Sequence, residues 1–256
     1  MNTATAINIP QRTIAIPPAS LAGDLALPQA AKGMVVFAHG SGSSRFSSRN
    51  RFVAQVLQQT GLGTLLLDLL TAEEEQVDLQ TRRLRFNIPL LATRLQDATR
   101  WVKDNPETAS LPLGYFGAST GGAAALVAAA EQSGAVCAVV SRGGRPDLAA
   151  DRLAGVRAPT LLIVGARDEP VIELNELALG QLRCAKKLEI VASASHLFEE
   201  PGALEEVAHL ASAWFNQYLI DGYLTSRPEH PGAPKKNSHA SNKTKGRHES
   251  QFPNHQ

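Results

Sequence analysis

A serine with glycine two residues away on either side, Gly117-Ala118-Ser119-Thr120-Gly121, stands between an apolar run and an alanine-rich one. On so tight a strand-to-helix turn the hydroxyl projects above the elements it joins, and the first helical N–H groups point at whatever the oxygen attacks. The chemistry suited to such a group is attack on an acyl carbon. A serine hydroxyl is a poor nucleophile near neutral pH, so it needs a base that is itself oriented by an acid. Ahead of the C-terminal tail there are three histidines. His209 lies within a helical pattern and reads as a structural or surface residue. His39 precedes a glycine turn and reads first as a shaper of that turn, with substrate contact as a second role. His196 follows an apolar strand in the loop Ala192-Ser193-Ala194-Ser195-His196, where a mobile imidazole can meet the serine. His196 is the expected base.

If the site is of the elbow type, its acid lies between serine and histidine in chain order. Asp147, Asp151, Asp168 and Glu169 qualify. Asp168 stands immediately beyond the apolar strand Leu161 to Val164, whereas Asp147 and Asp151 open a polar helix and suit capping. Asp168 is the preferred acid, Glu169 the fallback, and Asp68, at another strand end, a minority geometry. Tetrahedral intermediates also need hydrogen-bond donors for their oxyanion. The backbone N–H of Thr120 is one candidate, and that of Ser41, in the loop after His39-Gly40, is the other. Arg142, after a strand end, could face the pocket and pair with a substrate carboxylate or phosphate, or form a structural salt bridge.

These residues need a frame that brings distant strand ends together. Apolar runs alternate with helical patterns along the chain: Thr13–Ile16 and Leu21–Leu27 as an N-terminal hairpin around Pro17-Pro18, then strands at Met34–Ala38, Thr64–Leu67, Leu111–Phe116, Ala135–Val140, Thr160–Val164 and Leu188–Val191. Helices are expected at the face carrying Phe52, Val56 and Leu57, after the N-cap Asn87 with Pro89 in the first turn, and at Thr120–Glu131, Val171–Leu182 and Leu204–Tyr218. Strands apolar throughout and alternating with helices imply an α/β fold, a mostly parallel central sheet with helices on both faces. In such sheets, sites gather at the carboxyl ends of the strands. The charged stretch Thr71 to Phe86 reads either as a short cap over the site or as a solvated surface helix.

Bulk properties exclude other classes. The 256-residue chain has a formal charge of +1 and 43% hydrophobic residues. From Ser226 onward there are six Lys/Arg against two Asp/Glu, so the tail carries +4 and the body −3, a balance that gives no reason to expect nucleic acid as a partner. No apolar run nears the roughly 20 residues that span a bilayer, so no membrane partner is expected. Cys137 and Cys184 lack metal-ligand spacing and read as free thiols, which favours a reducing, cytoplasmic setting. The start of the chain lacks a basic segment followed by an apolar one, so no signal peptide is read. The domain is expected to span 1–225. The segment 226–256, almost without apolar residues, is expected to be a disordered basic tail whose four histidines hold no metal.

The motifs His39-Gly40-Ser41-Gly42, the elbow at Ser119, Asp168 after Val164-Gly165, and His196 before the final helix together resemble the α/β-hydrolase superfamily, and within it the dienelactone hydrolase-like group of serine hydrolases. Ser47-Ser48-Arg49-Asn50-Arg51-Phe52 and Arg142-Gly143-Gly144 are similar to members described only as hydrolases, some of them joined to phosphoribosyltransferase domains. The resemblance spans roughly Ile9 to Leu219. It implies the α/β-hydrolase fold, a Ser119–Asp168–His196 triad, a small-molecule acyl substrate and neither metal nor organic cofactor. True dienelactone hydrolases use a cysteine nucleophile, and this chain has Ser119, so cleavage of dienelactones is not implied. An esterase is the leading expectation. An acyltransferase on the same fold and a non-catalytic interaction module are the alternatives.

Overall fold

The computed structural model describes residues 9–222; the segment 226–256 lies outside the described residues. Eight strands form one sheet in the order β1-β2-β4-β3-β5-β6-β7-β8. The N-terminal hairpin pairs β1 (Gln11–Ile16) with β2 (Leu21–Ala26), Ile16 opposite Leu21, and β2 runs antiparallel to β4 (Leu62–Leu67). From β4 onward every pairing is parallel: β3 (Gly33–Ala38), β5 (Leu113–Ala118), β6 (Ala138–Arg142), β7 (Thr160–Gly165) and β8 (Lys186–Val191). The parallel strands β3 to β7 are buried along their whole length, which is why they read as unbroken apolar runs rather than as alternating ones.

Two apolar cores, one per face, sandwich the sheet. Val36 of β3 belongs to one core and its neighbours Val35 and Phe37 to the other, as the two-residue period of a strand requires. On the first face lie α3 (Ile88–Asp104) through Leu91, Leu95 and Ala98, α4 (Thr120–Glu131), and α5 (Glu169–Gln181) through Ala178. The second face is covered by α1 (Ser48–Gln59) through Val53 and Leu57, and by α6 (Ala203–Phe215) through Val207, Ala211 and Phe215. Thr120 through Ala129 of α4 are all buried. Its small side chains let the helix axis lie close to both the sheet and α3, at the centre of the molecule.

Helix starts follow local chemistry. Asn87 accepts from the Leu90 N–H with Pro89 in the first turn of α3, and Ser47 accepts from the Asn50 N–H at the start of α1. The charged stretch forms α2 (Ala72–Thr81), begun by a reciprocal capping box between Thr71 and Glu74. Arg94 binds Glu74 at 2.7 Å, and Asp78 accepts from the Leu84 and Arg85 N–H groups and binds the Arg85 side chain. These bonds fold the stretch on itself and tie it to α3. It is a short helix fixed beside the site.

Several strand limits differ from the apolar runs. β5 and β6 start two to three residues later than expected, and β6 continues through Ser141 and Arg142. The ladder partners decide this: Ala118 pairs with Arg142 and Ser141 with Leu162, so two polar residues are buried inside the sheet. Arg142 is therefore the last residue of a strand, where the sequence reading had placed it beyond the strand's end.

Candidate active site

The turn at Ser119 is built by close packing. Ser119 holds φ 51° and ψ −121° between β5 and α4, a left-handed conformation that costs a non-glycine residue of order 1–3 kcal/mol. A Cβ at Gly117 would stand 2.5 Å from the Gly121 carbonyl oxygen and 2.6 Å from the Gly122 Cα. One at Gly121 would collide with the carbonyl oxygens of Ala38 and His39, the latter at 2.5 Å. Both glycines are required because backbone, not a movable side chain, occupies the space. The Ser119 N–H donates to the Arg142 carbonyl at 3.1 Å and its carbonyl accepts from Gly122 and Arg145, which locks the turn to the neighbouring strand end. The Ser119 residue stays partly exposed, and its hydroxyl makes no hydrogen bond among the described residues.

His196 and Asp168 come from the ends of β8 and β7. The His196 Nδ1 lies 2.6 Å from the Asp168 Oδ2. Asp168 occupies the N-cap position of α5 but makes no cap bond, so its carboxylate is committed to the imidazole. Its side chain is 14% exposed against 38% for His196, a sheltered acid holding a reachable ring. The loop carrying His196 is braced by Glu200, which accepts from the Ser195 N–H at 2.9 Å and pairs with Arg167, the residue before Asp168. The Ser195 N–H, with the Arg167 charge as a lesser contributor, holds the Glu200 carboxyl down at about 2. Nothing in the sequence pattern pointed to Glu200. It acts by fixing a loop whose partner lies in a different loop.

None of the remaining candidate acids bonds His196 among the described residues. Asp147 takes two hydrogen bonds from Arg145, at 2.8 and 2.7 Å. Asp151 is 91% exposed, and Glu169 is exposed in the first turn of α5. Asp68 accepts from the Arg45 N–H at 2.7 Å and pairs with the Arg45 guanidinium. His209 lies exposed on α6.

His39 needs correction as a substrate-binding candidate. It is buried, its Nδ1 lies 2.9 Å from the Gly40 carbonyl, and its Nε2 accepts from the Leu69 N–H at 3.1 Å. Both ring nitrogens are occupied, so it serves as a strut joining the loop after β3 to the chain after β4. Burial pushes its pKa below the ordinary histidine value, against the opposing pull of the Gly40 carbonyl, which keeps the strut neutral. The strut shapes the loop containing Ser41. Neither the Ser41 nor the Thr120 N–H donates to a protein acceptor among the described residues, so both are open to a ligand.

Ser41, Ser119, Arg142 and His196 line one cavity of about 220 Å³, joined from the α1 side by Arg49 and Asn50. The expected salt bridge of Arg142 is not formed; no carboxylate pairs with it among the described residues. Its Nη2 lies 3.5 Å from the Asn50 Oδ1, and its guanidinium carbon stands 5.6 Å from the centre of the Phe198 ring. Burial, with the nearby Arg49 charge, brings its pKa down to about 10, so it remains cationic near neutrality. A larger cleft of about 600 Å³, bordered by Gln11, Arg51 and Gln55, has no serine, cysteine, histidine or carboxylate in its lining. Ser119 and His196 share the smaller cavity.

A family model described as alpha/beta hydrolase domain matches residues 31–213. The chain is 61% identical to a dienelactone hydrolase of solved structure from Anabaena variabilis, covering 84% of this chain and 100% of that one with a TM-score of 0.81. Est1E from Butyrivibrio proteoclasticus, 15% identical over 81% of this chain and 98% of its own, shares the fold with a TM-score of 0.67. Proteins of two Mycobacterium tuberculosis strains, provisionally named phosphoribosyl transferases, are each 58% identical over 202 residues, 79% of this chain and 45% of theirs. The chain thus spans about half the length of those curated relatives. No helix among the described residues is long and apolar enough to cross a membrane.

Proposed function

The chain belongs to the α/β-hydrolase family, and from that premise we propose that it is a serine hydrolase cleaving a carboxylic ester or related acyl bond of a small molecule through an acyl-enzyme on Ser119. The hydrolase assignment has the support of the family match and the dienelactone hydrolase neighbour. The single observation that carries the finer reading is the 2.6 Å contact of Asp168 with His196 Nδ1, in a loop that shares its cavity with a strained, unbonded Ser119.

In this reading Asp168 accepts a hydrogen bond from the His196 Nδ1–H and thereby leaves Nε2 as the base. His196 takes the Ser119 proton as the oxygen attacks the carbonyl, and the oxyanion is met by the Ser41 and Thr120 N–H groups. Collapse breaks the ester bond, and the leaving alkoxide receives the proton from His196. Water, deprotonated by the same imidazole, then hydrolyses the acyl-enzyme. The reaction calls on no metal or organic cofactor.

The phosphoribosyl transferase name of the mycobacterial relatives is not extended to this chain, which matches 45% of their length with a hydrolase-type fold. The transferase name belongs in our reading to the part of those proteins outside the match. Free Cys137 and Cys184 accord with a reducing, cytoplasmic setting.

A fluorophosphonate probe tests the proposal. It should label the wild-type protein and leave Ser119→Ala unlabelled, with p-nitrophenyl ester turnover lost in parallel. Equal labelling of the variant would remove Ser119 from the mechanism.

A further inference from the structure

Arg142 is a buried cation without an anion. The residue is 6% exposed, its Nε lacks any partner, and no aspartate or glutamate lines the cavity it faces. Leaving a charge desolvated and unpaired is costly unless a ligand of opposite sign completes it. The neighbouring groups deepen the imbalance. Arg142 reaches Asn50 in the first turn of α1, a 12-residue helix whose positive end therefore borders the same cavity. Ser47 takes the Asn50 N–H, but those of Ser48 and Arg49 have no acceptor among the described residues. The Arg49 side chain lines the cavity too and spends one nitrogen on the exposed Glu199, at 3.1 Å, while its Nε is unpartnered.

Two guanidinium groups, a helix N-terminus, the hydroxyl of Ser43 and the amide of Asn50 thus surround a space that also opens on Ser119. Helix N-terminal N–H groups and forked guanidinium donors are what phosphate oxygens bind. A phosphate monoester fits this set better than a carboxylate does. Its near-dianionic charge answers two cations, and its three terminal oxygens accept more hydrogen bonds. Arg142 is also tied to the nucleophile by backbone, since its carbonyl accepts from the Ser119 N–H at 3.1 Å. An anion held there lies next to the scissile bond.

We propose that Arg142, Arg49 and the N-terminus of α1 form a phosphate-recognising subsite, so that the substrate is a small ester bearing a phosphate monoester close to its acyl group. This rests on the serine hydrolase reading and adds the class of substrate. A cavity of about 220 Å³, below the range of drug-sized pockets, limits that substrate to a short acyl chain.

The test compares three acetate esters that differ in one group: those of 2-hydroxyethyl phosphate, 3-hydroxypropanoic acid and 2-methoxyethanol, with acetate release as the readout. The wild type should favour the phosphate ester over the neutral one in kcat/KM by about ten- to a hundredfold, the worth of a charge-assisted hydrogen bond. In Arg142→Met that preference should collapse, chiefly through KM, and Arg142→Lys should restore part of it. A purely structural role would lower turnover of all three esters alike. As a measurement without variants, inorganic phosphate should slow fluorophosphonate labelling of wild-type Ser119 beyond the effect of sodium chloride at equal ionic strength. Equal or better use of the neutral ester, or no slowing by phosphate, overturns the subsite. Preference for the carboxylate ester overturns the phosphate assignment. A protein that labels at Ser119 without anion preference refutes this inference alone, whereas absence of labelling refutes the serine hydrolase reading beneath it.

Discussion

Replacing Asp168 by asparagine keeps the shape of the side chain and removes its charge. The Asp168 Oδ2 and His196 Nδ1 are 2.6 Å apart, which puts the charge centres of a carboxylate and an imidazolium about 4 Å apart. At an effective dielectric constant near 20, suited to a ring 38% exposed, their attraction is about 4 kcal/mol. In the proposed mechanism the imidazolium exists only while the ester is being attacked or the alcohol expelled, so this energy is spent on the transition state and corresponds to about a thousandfold in rate. An asparagine can also present its NH2 to Nδ1 and favour the wrong tautomer, which adds to the loss. Steady-state hydrolysis of p-nitrophenyl acetate by Asp168→Asn should therefore show kcat reduced by about three orders of magnitude with KM nearly unchanged. Fluorophosphonate labelling should slow in parallel. Asp147→Asn, whose parent carboxylate is held by Arg145, and Glu169→Gln should both stay within about tenfold of wild type. If Asp168→Asn retains a rate within that same margin, or either control falls as far, the carboxylate is not orienting the base and the argument fails.

Two further outcomes follow from the geometry. Gly121→Ala would drive a Cβ into the backbone carbonyls of Ala38 and His39, where no rotamer change can relieve it. Thermal melts should show a destabilisation of about 3 kcal/mol or more, a fall of roughly 6–12 °C for a chain of this size, with Ser119 labelling lost; a melt within about 2 °C of wild type would contradict the packing. His39 has a folded-state pKa below its unfolded value, so between the two the unfolded chain binds more protons. Its contribution to stability is complete above about pH 6.5 and is lost as the pH falls toward the folded value. Melting temperature measured from pH 7.5 down to 5 should drop in the wild type and slope less in His39→Asn. Identical slopes would mean that the buried imidazole is not the group titrating.

Much of the site was legible because its constraints are local. The glycines of the elbow answer to atoms within five residues or to the adjoining strand, and Asn87 with Pro89 announces α3 through its own first turn. Strand limits were less legible, since they are set by ladder partners. Hydrophobicity alone ended β6 before Ser141 and Arg142, yet pairing with β5 and β7 carries the strand through both. The reading of Arg142 suffered for the same reason. A structural salt bridge was one of the two roles read for Arg142, but its surroundings come from α1 and from the loop after β8, neither of which is near it in the chain. His39 was read first as shaping the glycine turn, which fits the fold, but its second role, substrate contact, fails because both nitrogens are taken, one of them by Leu69 thirty residues away.

The sequence by itself determined the layered α/β architecture and singled out Ser119 as the candidate nucleophile, because periodicity, caps and tight turns depend on neighbours along the chain. Only the tertiary structure decided which carboxylate meets His196, what His39 supports and that Arg142 faces a cavity without a counter-charge. Those are properties of strand ends meeting across a sheet, where distance in space is unrelated to distance in sequence and a charge is free or paired according to what other elements bring to it.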